Sequence, residues 1–141
     1  MVQTKPPNSD GDQLSAVIVV GDAALILRCR KQTTEVAFST KNTDFGDQSV
    51  TVRYRINSDD PIKEVWRSSM DGRAAFAPKP LDFIRTLPDN GRVFIRALAA
   101  DGQNKDANFK LSGVSEVRDK LGHACHWSNP PDDTTGTINQ P

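Results

Sequence analysis

A mainly β fold, an antiparallel β-sandwich or curved sheet with one short helix and a C-terminal helix packed on it, follows from three features of the sequence. Apolar and polar residues repeatedly alternate with period two, the pattern of strands that bury one face. The links between these runs are rich in Asp, Asn, Gly and Pro and are too short for helical crossovers, so the strands pair antiparallel. Two segments instead repeat their apolar residues at helical spacing.

The strands come in order. In "AALILRCRK", Leu25, Leu27 and Cys29 share one face while Arg28 and Arg30 take the other. "TEVAFST" places Val36 and Phe38 together. "SVTVRYRI" is the cleanest case, with Val50, Val52, Tyr54 and Ile56 inward and Thr51, Arg53 and Arg55 outward. "SDDP" turns the chain into "IKEVWRSS", and "MDG" turns it again into "RAAFAP". "GRVFIRALAADG" sets Val93, Ile95 and Ala97 against Phe94, Arg96 and Leu98, and "ANFKL" aligns Ala107, Phe109 and Leu111. Six or seven strands are therefore expected.

The helices interrupt this rhythm. "PKPLDFIRTLPDNG" repeats Leu81, Ile84 and Leu87; Pro80 suits a first turn, and Pro88 with Asn90-Gly91 ends the segment. "SGVSEVRDKLGHAC" repeats Val114, Val117, Leu121 and Cys125 as a narrow stripe beside Glu116, Arg118, Asp119 and Lys120.

The 141 residues suit one domain with its own core. Residues 1–12 and 128–141 are polar, rich in Pro, Asp, Asn or Thr, and without periodicity, so they are expected to be a disordered linker and tail around a β-rich domain at 13–127. Eighteen Lys and Arg balance eighteen Asp and Glu. A nucleic-acid binder usually carries a basic excess, so no nucleic-acid partner is expected. "AVIVV" and "AALIL" are split by Gly21 and Asp22, and neither approaches the roughly 18 apolar residues of a membrane span. Met1 leads into "VQTKPPNSDGDQ" without the apolar region of a signal peptide, so an export leader, if used, lies outside this sequence.

The two cysteines, Cys29 and Cys125, both fall on core faces. Two buried thiols acting as small hydrophobes are one reading. The even count and shared inward direction favour a disulfide, whose closure of a loop of roughly 100 residues contributes about 4–5 kcal/mol and implies an oxidising compartment. A metal site at His123, Cys125 and His126 lacks the fourth ligand of structural zinc, and an inward cysteine is a poor nucleophile. No G-x-S-x-G, P-loop or H-E-x-x-H motif occurs in the sequence, so no catalytic residue, metal or cofactor is assigned. Arg28, Arg30, Arg53 and Arg55 would form an outward basic stripe if their strands were neighbours, suited to an acidic partner or an anionic envelope polymer. Cross-strand pairing with acids such as Glu35 and Glu64 is the competing use, slightly favoured.

In order, "LILRCRKQTTEVAFST", "VTVRYRIN", "SSMDGRAAFAP", "FIRTL", "VFIRALAADG", "ANFKLSGV" and "ACHW" resemble the VasI/TagO family, exported proteins associated with bacterial type VI secretion systems. The positions that carry the likeness are Cys29, Val50 to Arg55, Trp66, Ser69 with Asp71, Gly72 and Phe76, Phe83 with Leu87, and Cys125 with Trp127, within about 24–127. The resemblance implies a non-enzymatic periplasmic accessory protein that contacts protein partners of the secretion apparatus or envelope. Alternatives are a glycan- or peptidoglycan-binding module, which needs Trp66 exposed beside Tyr54 and the arginines, and a phage or virion structural component. A small hydrolase using His126 or an acidic pair that includes Asp71 is a further rival.

Overall fold

The computed structural model describes residues 2–5, 12–31 and 33–125. Among them lie β1 (Val2–Lys5), β2 (Asp12–Val20), β3 (Ala23–Arg30), β4 (Thr33–Thr40), β5 (Ser49–Ile56), β6 (Ile62–Ser68), β7 (Ala74–Phe76), α1 (Pro80–Thr86), β8 (Gly91–Leu98), β9 (Asn104–Leu111) and α2 (Val114–Ala124). The strands form one antiparallel sheet in the order β1-β2-β3-β4-β7-β6-β5-β8-β9. The three-residue β7 stitches two leaves together, pairing Phe76 with Ala37 of β4 and with Arg67 of β6. β2 and β9, near opposite ends of this order, approach each other, so the sheet curls around its core while remaining open.

The alternation read from the sequence sets this curvature's inside. Leu25, Leu27, Cys29, Val36, Phe38, Val50, Val52, Tyr54, Val93, Ile95, Ala97, Phe109 and Leu111 are all buried. Phe38 of β4 meets Phe109 of β9 edge to face, with ring centroids 6.1 Å apart, across the curl. Burying each such large side chain contributes about 1.5–3 kcal/mol relative to exposure.

Two strands exceed the expectation. β2 takes in the run "AVIVV", whose Ala16 and Ile18 are buried while Val19 and Val20 are exposed. The uninterrupted apolar stretch hid this alternation. Within the stretch 1–12, Val2 to Lys5 form a strand rather than the expected disordered linker and pair with Ile18 to Ser15, where the open edge of β2 supplies backbone partners that composition does not reveal. The tail 128–141 lies outside the described residues.

Both helices cover the core as expected. α1 begins at Pro80 and buries Phe83 and Ile84, with Leu87 just beyond it. Leu81 is only half-buried, so Phe83 replaces it in the stripe. α2 buries Val114, Val117 and Leu121, and Cys125 follows at its end. Its N-cap is Gly113, which has no side chain to cap with. Asp89 supplies the missing acceptor: its Oδ1 accepts from the Ser115 backbone N–H and from the Ser115 hydroxyl, each at 2.8 Å. Arg118 Nη1 donates to the carbonyls of Ile84 and Leu87 at 3.0 and 2.8 Å, satisfying the end of α1.

The turn between β6 and β7 is fixed by side chains. Ser69 Oγ donates to Asp71 Oδ1 at 2.6 Å, and the Arg73 N–H donates to the same oxygen at 3.1 Å. Gly72 has φ +73, and an added Cβ would press on Asp44 Oδ1 and lie 3.0 Å from the Gly46 carbonyl oxygen. Gly72→Ala is therefore expected to lower stability by about 1–3 kcal/mol in urea unfolding, with an unchanged m-value.

Candidate interaction surface

Cys29 and Cys125 are joined in a disulfide, with Cα atoms 5.7 Å apart and a sequence separation of 96. The bridge ties the end of β3 to the end of α2, and both residues are buried. Cys125 is thereby removed from any metal or nucleophile role. His123 is exposed in the last turn of α2, while His126 and Trp127 lie outside the described residues.

The four sequence-predicted arginines do not form one stripe. Arg28 and Arg30 lie on β3 and Arg53 and Arg55 on β5, with β4, β7 and β6 between them. Arg28 takes the cross-strand pairing: its Nε donates to Glu35 Oε1 at 2.6 Å, from the position directly opposite in register. Its guanidinium also lies 5.8 Å from the Phe76 ring centroid, and Arg67 lies 5.4 Å away from the same ring. Arg30 is half-buried at the end of β3, opposite Thr33. Among the described residues Glu64 pairs with no arginine, and its Oε1 accepts from Trp66 Nε1 at 3.0 Å.

Trp66 is corrected most sharply. Offered as an exposed contact residue, it is 1% exposed. Its even position on β6 points it inside with Ser68, onto Tyr54 and Phe83, at centroid distances of 6.4 and 5.9 Å. Tyr54 is buried too, and burial, then the nearby Glu64 and Asp82 carboxylates, raise its pKa above the ordinary phenol value. An exposed Trp–Tyr platform for sugars is therefore not what these residues build.

Arg53 and Arg55 belong instead to a larger basic face. The outward positions of β6, β5, β8 and β9 carry Lys63, Arg53, Arg55, Arg92, Arg96 and Lys110, all exposed. Asp106 is the acid among those outward positions, and Arg96 holds it through Nε and Nη2, both at 2.8 Å. The Arg96 hydrogen bonds keep the Asp106 carboxyl below the usual carboxylate range. Arg55 Nε donates to the Asp59 carbonyl at 2.8 Å. Among the described residues, Arg53, Lys63, Arg92 and Lys110 form no ion pair. At one end the face runs into an open cleft of about 510 Å³ lined by Asn57, Ser58, Asn90, Arg92, Lys110 and Ser112.

Sequence alone did not reveal Lys63, Arg92, Arg96 and Lys110 as parts of this face. Their alternation was legible, but their neighbours depend on pairing β5 with β8, which sets Arg53 opposite Arg96. The other shifted carboxylates have structural work. Hydrogen bonds from the Ser69 hydroxyl and the Arg73 N–H lower the Asp71 pKa, and those from the Ser115 N–H and hydroxyl lower that of Asp89. A lowered folded pKa stabilises above the unfolded carboxylate range and is lost as pH falls through the folded value. The thermal midpoint is therefore expected to hold from pH 7 to ~4 and to fall below that, with a shallower fall in Asp89→Asn. Scanning calorimetry across this range checks it.

Compared with protein-family models, with curated proteins and with solved structures, the chain matches none.

Proposed function

We propose that this protein is an exported, non-enzymatic accessory domain that works outside the reducing cytosol through contacts with other proteins. The buried Cys29–Cys125 bridge carries this proposal, because such tethers persist chiefly in oxidising compartments. The acids with lowered pKa values support a scaffold: Asp71 holds a turn, Asp89 caps a helix, and Asp106 pairs across strands. The proposed setting is the periplasm beside a type VI secretion system, on the resemblance to the VasI/TagO family. The residues that carry the likeness have structural uses consistent with a shared fold. Cys29 and Cys125 form the staple, Trp66 packs on Phe83, and Ser69, Asp71 and Gly72 shape one turn.

The compartment and the apparatus are tested separately. In native cells, alkylation of free thiols before and after reduction is expected to label Cys29 and Cys125 only after reduction, in the periplasmic fraction. Free thiols in native material would overturn export. Deleting the gene is expected to lower release of the system's secreted tube protein. Unchanged release would remove the secretion role while leaving the exported scaffold standing.

A further inference from the structure

Like charges placed directly opposite each other on a sheet cost stability, and acids across the strand relieve that cost. The described residues show that relief at Arg28–Glu35 and Arg96–Asp106. Among the described residues on the outside of β6-β5-β8-β9, only Arg96 has such an acid, and Arg53, Lys63, Arg92 and Lys110 have none. There Arg53 stands opposite Lys63 on one side and Arg96 on the other, and Arg92 stands opposite Lys110. Three like-charge junctions on one face are a costly arrangement in a chain whose total charge is zero. Such a cost is relieved when an outside anion sits over the face.

We propose that this face is the docking surface for a carboxylate-rich, extended segment of a partner protein. The proposal shares with the proposed function the premise that the domain works by contact, and it stands or falls independently of compartment. Adjacent strands place cations about 4.8 Å apart, and Arg53 and Arg55 lie about 7 Å apart along β5. An extended chain shows side chains on one face at that same interval of about 7 Å, so alternate acids would meet successive arginines. Arginine forks suit carboxylates, as Arg96 demonstrates on Asp106. Apolar groups are interleaved with the cations: Val65 is 59% exposed, Leu98 is 42% exposed, and Phe94 lies 5.6 Å beneath the Arg96 guanidinium. A peptide offers apolar side chains to these groups, which a sulfated or phosphorylated polymer does not.

The test uses the full chain with its bridge intact and a fluorescein-labelled peptide of alternating Glu and Val, read by anisotropy. Binding is expected to weaken with added salt and to weaken at least about tenfold in Arg53→Glu/Lys63→Glu. Arg53→Glu alone turns two repulsive junctions into attractive ones, so its thermal midpoint is expected to rise by about 2–4 °C. A merely structural arginine would show a fall. Unchanged peptide binding in the double variant, or a lowered midpoint in Arg53→Glu, overturns the proposal. So does tighter binding of a heparin fragment or of phosphatidylglycerol vesicles, which would make the face a site for polyanions or membranes.

Discussion

Replacing both Cys29 and Cys125 with alanine is expected to lower the thermal midpoint by about 15–20 °C. The bridge closes a loop with 96 residues of sequence separation, and constraining an unfolded chain over such a loop contributes about 4–5 kcal/mol. A domain of this size loses roughly 4 °C per kcal/mol. The effect should also be uneven in space. The start of α2 is held independently by Asp89 on Ser115 and by Arg118 on the carbonyls of Ile84 and Leu87. Its far end depends on Leu121 packing and on the bridge itself. Hydrogen exchange in the alanine variant is therefore expected to quicken from Leu121 to Ala124 before it quickens at Val117. A midpoint within a few degrees of the wild type would show that the core alone holds α2 in place.

The inside of the sheet was legible in the sequence because period two needs no knowledge of partners. The inward sets of β3, β5, β8 and β9 and the stripe Val114, Val117, Leu121 and Cys125 were all readable in this way. What failed was non-local. The arginines of β3 and β5 look like neighbours in a list of strands, yet β7 and β6 pair between β4 and β5 and drive them apart. Trp66 was misplaced for a related reason. "IKEVWRSS" alternates poorly because its inward face begins with exposed Ile62 and half-buried Glu64 at the sheet's rim, while outward Val65 is apolar. Neither face of that strand announces itself until α1 is seen to cover it.

That cover is the reason Trp66→Ala is expected to cost about 3–5 kcal/mol, the range for emptying a large aromatic site in a core. Trp66, Tyr54 and Phe83 form a mutual cluster, with Phe83 edge-on to both partners at centroid distances of 5.9 and 5.0 Å. The cluster joins α1 to β5 and β6, the strands that present Arg53 and Lys63 outside. Urea unfolding with an unchanged m-value measures the loss, and Trp66→Phe is expected to retain most of the stability. Tyr54 provides a local readout. Its folded pKa is raised chiefly by burial, so its contribution is present below the unfolded phenol value of ~10 and lost as pH rises through the folded one. Opening the Trp66 site to water should bring the Tyr54 titration back toward ~10 in absorbance, and weaken the alkaline loss of stability that the wild type shows. A Trp66→Ala protein that keeps both its stability and its high phenol titration would mean that the cluster does not hold α1 on the sheet. The basic face would then owe its shape to strand pairing alone.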